Sequence, residues 1–152
     1  MNSALAAPPV GPVVLTATAL RLGYAGLVPF ALGALLVWLV RADEHPYVTL
    51  ALSAYAAVIV SFLGGIHWGL ALRQAEPPAH LLLWGVVPSL VAWLAVMMPP
   101  AAGLVILGAM LVACYAVDRR LYAEQGVAHW LMLRFRLSAV ASLSCFIGAA
   151  GA

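Results

Sequence analysis

The sequence predicts an all-α integral membrane protein, five transmembrane helices in one bundle, and three observations predict it. Of 152 residues, 66% are hydrophobic and only 8% charged, against about a quarter charged in soluble domains. The charges fall in clusters that leave uncharged runs of the length needed to cross about 30 Å of hydrocarbon at 1.5 Å per helical residue. Those runs are rich in Leu, Ala and Gly throughout and lack the ten-residue alternation of a membrane β-barrel.

The first span is Leu22 to Val40, between Arg21 and Arg41. The second occupies about 47–72, inside a stretch free of formal charge from Pro46 to Leu72, and its length predicts tilt. Leu81 to Val117 is 37 uncharged residues, roughly 55 Å as one helix and too long for one crossing. Pro99-Pro100 near its middle divides it into a hairpin of spans 81–98 and 101–117. The last uncharged run, Leu137 to Ala152, is short, so a span over about 130–151 needs Arg134 and Arg136 to reach back toward the head groups. Residues 1–20 contain no basic residue and carry Pro8, Pro9 and Pro12, unlike a signal or transit peptide, and are expected to remain as a cytoplasmic tail.

Orientation follows from the arginines. Arg21, Arg73, Arg119, Arg120, Arg134 and Arg136 fall on one side of this topology and Arg41 alone on the other. The positive-inside rule therefore predicts a cytoplasmic N-terminus and an external C-terminus. The net charge of +2 is spread along the chain, which excludes a basic-patch nucleic-acid binder. Expected partners are the lipid bilayer and a membrane-protein partner or a second copy.

Small residues recur every fourth position in the second span at Ser53, Ala57, Ser61, Gly65 and Gly69, and Gly64 adjoins them. Such a stripe permits close helix approach, and Ser61, Gly64, Gly65 and Gly69 are expected to pack against neighbours inside the bundle, with self-association the alternative. Pro29 and Pro88 lack the N–H that a helix would direct to Ala25 and Trp84, and are expected to kink the first and third spans.

The candidate chemistry gathers at one membrane depth. His67 lies six residues before Arg73, roughly 9 Å inside the boundary. Asp118 ends the fourth span there, Arg134 opens the fifth, and His129 sits at the same interface. Intramembrane ionisable residues are functional candidates by default, and this set suits an anionic head group, a polar ligand or a proton. The structural alternative is an interhelical hydrogen bond from His67 and an Asp118 ion pair to Arg134 or Arg119 that fastens the bundle. No cofactor is expected, because only His67 among four histidines lies well within a span and haem would want two facing ligands. Cys114, Cys145 and the histidines show no zinc spacing. The cysteines read as free and buried.

The segment from Leu22 to Phe30 (LGYAGLVPF) and the run Ser61 to Gly69 (SFLGGIHWG) resemble the family called domain of unknown function 3429. Pro88 to Trp93, Asp118 and Trp130 to Arg134 are similar in order, with Leu131 where the pattern has a second aromatic ring. The resemblance covers about Arg21 to Gly148 and implies a multi-spanning protein of bacterial or mitochondrial inner membranes, without an assigned reaction. The sequence contains no complete catalytic motif. It favours a non-enzymatic accessory or assembly component of a membrane complex. The alternative is a small transporter or a lipid-, quinone- or metabolite-binding protein with an inner-facing pocket at His67, Asp118 and Arg134.

Overall fold

The computed structural model describes residues 15–152, so most of the N-terminal tail lies outside the described residues. The described residues form helices and no strand: α1 (Ala17–Ala25), α2 (Val28–Leu39), α3 (His45–Ala71), α4 (Ala79–Val96), α5 (Pro100–Glu124), a 3-10 turn (Ala128–Trp130) and α6 (Leu131–Gly151). Taking α1 with α2 and the 3-10 turn with α6, five helical units are long and apolar enough to cross a membrane. Trp38, Leu50, Phe62, Leu83 and Leu143 point outward, as lipid-facing side chains of a bundle do.

The first crossing starts before Arg21, because Thr16 accepts a hydrogen bond from the Ala19 N–H and caps α1. It is interrupted at Gly26-Leu27, where both residues keep right-handed helical dihedrals and the chain runs on as one crossing. Pro29 occupies the first turn of α2, where its missing N–H costs nothing. Pro29 therefore stands at the start of α2, just past the interruption of the first span. Tyr55 Oη of α3 donates to the Gly26 carbonyl at 2.9 Å, satisfying one acceptor at the break, and its ring meets Phe30 edge-on at 5.1 Å. Pro88 does lie within a continuous helix, buried in α4.

The 27 residues of α3 span about 40 Å, more than the hydrocarbon thickness. Pro99 and Pro100 reverse the chain between α4 and α5. α5 runs past Val117 through Arg119 and Arg120 to Glu124, since Arg, Leu, Ala and Glu are good helix formers. Gly126 then turns the chain with φ of 72°, a conformation that glycine adopts without a Cβ clash.

α3 is the central helix and packs against α2, α4, α5 and α6. Its Leu52, Ala56 and Val60 join Leu104, Leu107 and Leu111 of α5 in the core. Gly64 brings α3 against α4: a Cβ there would sit on the Gly85 carbonyl oxygen and meet Pro88. Gly65 and Gly69, by contrast, face open space. The internal packing expected of these two is absent among the described residues. At about 100° per residue, a four-residue repeat advances about 40° at each step. The stripe accordingly begins in the core at Ser53, is half-buried at Ala57 and Ser61, and emerges at Gly65 and Gly69.

Candidate functional site

Three helices each turn one face inward at the same level. On α5, Cys114, Asp118 and Tyr122 recur every fourth residue and are all buried. On α3, Leu63 and His67 share the buried face, and on α6 Arg134 and Ser138 do the same. This is the i, i+4 adjacency of helix surfaces.

His67, Asp118 and Arg134 meet. The Arg134 Nε and Nη2 groups both donate to Oδ2 of Asp118, at 2.9 and 2.5 Å. His67 Nε2 faces the other carboxylate oxygen, Oδ1, at 3.2 Å. That distance is one of contact, but its direction is poor, and neither Nε2 nor Oδ1 has an aligned hydrogen-bond partner. Nδ1 of His67 lies 3.2 Å from the Leu63 carbonyl. The Leu63 carbonyl can only accept, so this contact is a hydrogen bond in the Nδ1–H tautomer and a bare contact in the other. His67 and Asp118 are 0% and 1% exposed and Arg134 8%. The group is thus an ion pair with an attached imidazole in a low-dielectric interior, where charges persist only when paired.

Arg134 also lines a cavity of about 520 Å³ enclosed by α1, α2, α3, α5 and α6. Its walls are apolar except for Tyr122, Trp130, Arg134 and Ser138. Ser138 Oγ is buried and has no hydrogen-bond partner. The ion pair uses Nε and Nη2 of Arg134, and Tyr122, which also lines the cavity, is within hydrogen-bonding reach of the same guanidinium. The cavity exists because of the break at Gly26-Leu27. Beyond it, α1 packs on α6 and leaves α3, and exposed Leu22 and Phe62 edge the gap on the lipid side.

His129 does not join the other three. Its ring lies beside Trp130 at 5.9 Å, and its Nε2 is buried without a partner. In a 3-10 turn successive residues point about 120° apart, so Trp130 lines the cavity and its neighbour does not. Tyr122, whose ring is 6.2 Å from that of His67, and Ser138 were not singled out by the sequence. Their spacing of four from Asp118 and Arg134 was the available signal. No group of three or more His, Cys, Asp or Glu side chains suited to a metal occurs among the described residues.

The chain is similar to Transmembrane protein 69 of Xenopus tropicalis, at 44% identity over 97 residues, which cover 59% of this chain and 38% of the relative. It is 34% identical to the Mus musculus protein of the same name over 82 residues, 52% of this chain and 33% of the relative. The matched segments thus span about a third of these relatives' length. No solved structure matches the chain. Residues 15–150 match the family described as "Protein of unknown function (DUF3429)", and by that near-complete match this multi-pass, five-helix membrane protein belongs to the family.

Proposed function

We propose that the protein binds an amphipathic small molecule in the cavity beside α1, with the apolar part in the cleft and the polar end at Arg134 and Ser138. The observation that carries this reading is the position of Arg134. It is held on one side by Asp118 and presented on the other to an apolar cavity that has almost no other polar group. Ligand sites are typically of this kind, mostly apolar with a few placed polar groups and volumes of about 300–1,000 Å³. The gap between α1 and α3 gives such a molecule a route from the bilayer. The family resemblance implies a bacterial or mitochondrial inner membrane, and the arginine distribution supports an N-terminus on the positive side.

A second reading, an accessory or assembly component of a membrane complex, rests on a different observation. Gly65 and Gly69 offer an uncovered small-residue face on α3, and a partner helix packs well on such a face.

The cavity reading is tested with a fluorescent long-chain probe, parinaric acid, titrated into the purified full chain in neutral-lipid nanodiscs. Ile66 lines the cavity and takes no part in the hydrogen bonds of the ion pair, so Ile66→Trp fills the space and leaves the pair in place. Saturable binding is expected in the wild type, weakened by about tenfold or more in Ile66→Trp, a loss of about 1.4 kcal/mol. Equal binding in both would place the probe elsewhere.

A further inference from the structure

We infer that the ligand of this cavity is a neutral acyl lipid, held through one carbonyl oxygen by hydrogen-bond donors from Arg134, Tyr122 and Ser138. This names the chemical class of the molecule in the cavity reading and rests on it.

The polar wall offers donors. Polar side chains reach the cavity from α5, the 3-10 turn and α6, whereas α1, α2 and α3 contribute only apolar residues. Arg134 and Trp130 carry side chains that only donate, and no carboxylate, amide or imidazole lines the space among the described residues. The other two polar groups are hydroxyls, and each has a proton to give. Tyr122 is within hydrogen-bonding reach of the Arg134 guanidinium. A guanidinium cannot accept, so the phenol oxygen accepts in that contact and its own O–H is left for another partner. Ser138 lies one turn from Arg134 on α6, and its buried Oγ has no hydrogen-bond partner among the described residues. A buried hydroxyl left unmade is costly. The molecule that completes this wall therefore brings an acceptor. A carbonyl oxygen has two lone pairs and no proton of its own, so it asks for no acceptor in return.

The charges favour a neutral head. Asp118 takes two N–H donors of Arg134 and supplies the opposite charge, and it does so from outside the cavity, since neither Asp118 nor His67 lines it. An anionic head would bring a second negative charge to the same guanidinium and compete with Asp118 for it, in an interior where charges persist only when paired. A neutral carbonyl accepts from the same groups and leaves the ion pair as it is.

The distribution of polar groups favours one carbonyl. A quinone ring carries two carbonyls on opposite edges. With one of them at the α5 and α6 wall, the other would point at the apolar residues of α1, α2 and α3 and stay unpaired. An acyl ester places its carbonyl at one end of a long apolar chain, which matches a space with one polar wall and apolar surroundings.

The test uses the full chain in nanodiscs of ether-linked phosphatidylcholine, which has no ester carbonyl to compete. Binding of four tritium-labelled probes is measured: methyl palmitate, with a neutral carbonyl; hexadecyl sulfonate, with a fixed negative charge; heptadecane, with no polar group; and decylubiquinone, with a quinone ring. Methyl palmitate is expected to saturate the protein and to bind at least about tenfold more tightly than the sulfonate or heptadecane. Ser138→Ala and Tyr122→Phe each remove one hydroxyl and little else. Each is expected to weaken methyl palmitate by about three- to tenfold and to leave heptadecane unchanged, a change in ratio that a hydroxyl serving only the fold would not produce.

Sulfonate or heptadecane binding as tightly as the ester or more so, or an ester affinity unmoved by both substitutions, would overturn the carbonyl assignment and leave a ligand site in the cavity. Decylubiquinone binding more tightly than methyl palmitate would overturn the acyl assignment and identify a quinone instead. Failure of all four probes to bind would remove the cavity reading itself and this inference with it.

Discussion

Asp118→Ala is expected to destabilise the bundle by about 3–5 kcal/mol, the usual cost of removing one partner from a buried ion pair. The carboxylate holds two Arg134 N–H groups and faces His67. Its removal leaves a guanidinium 8% exposed with no counter-charge in the protein interior. Unfolding of the purified protein by added SDS in mixed micelles measures the effect. Asp118→Leu combined with Arg134→Met is expected to recover most of the loss, because an apolar pair of similar volume needs neither charge to be desolvated. An additive double variant would show that the two side chains are not coupled in the folded protein. The exposed Arg41–Asp43 contact at 3.3 Å provides the contrast. Breaking it is expected to change stability by no more than about 1 kcal/mol.

The second large effect is expected at Gly64. A Cβ at this position would collide with the Gly85 carbonyl oxygen and press on Pro88, and backbone cannot move aside as a flexible side chain can. Gly64→Leu should therefore force α3 and α4 apart and cost about 3 kcal/mol or more, the upper part of the overpacking range. One residue on, Gly65 has nothing within 4 Å. Gly65→Leu is expected to stay within about 0.5 kcal/mol of wild type in the same SDS titration. Similar losses at both positions would contradict the packing of α3 described above. Because Gly65→Leu spares the fold of the single chain, any loss of association it causes in native membranes would speak for a partner helix on that face.

These two sites show where the sequence was legible and where it was not. Charge placement, with run length and Pro99-Pro100 dividing the longest run, revealed five crossings, because a run of about 20 apolar residues has few alternatives to a spanning helix. The same logic set His67, Asp118 and Arg134 at one depth, but depth along a helix axis says nothing about rotation around it. Their convergence depends on which faces α3, α5 and α6 present to one another, and that is fixed by the Gly64 and Gly85 approach and by the core packing. A four-residue repeat was read as one straight stripe, whereas its slow precession carries Gly65 and Gly69 out of the core. Pro29 marked the interruption of the first span, but not the separation of α1 from α3 beyond it, which leaves room for the cavity. His129 was grouped with the others by its position near the interface, and the 3-10 turn that diverts it has no strong signature in the sequence.

The central claim is that Arg134 presents the polar end of a bilayer-derived amphiphile site, and intact-mass spectrometry of protein released gently from its native membrane tests it most directly. The wild type is predicted to retain one acyl-chain molecule per protein. Folded Arg134→Gln is predicted to emerge without it, while keeping the helical content of the wild type. A wild type that carries no such molecule, or an Arg134→Gln protein that carries the same one in the same amount, would contradict the account.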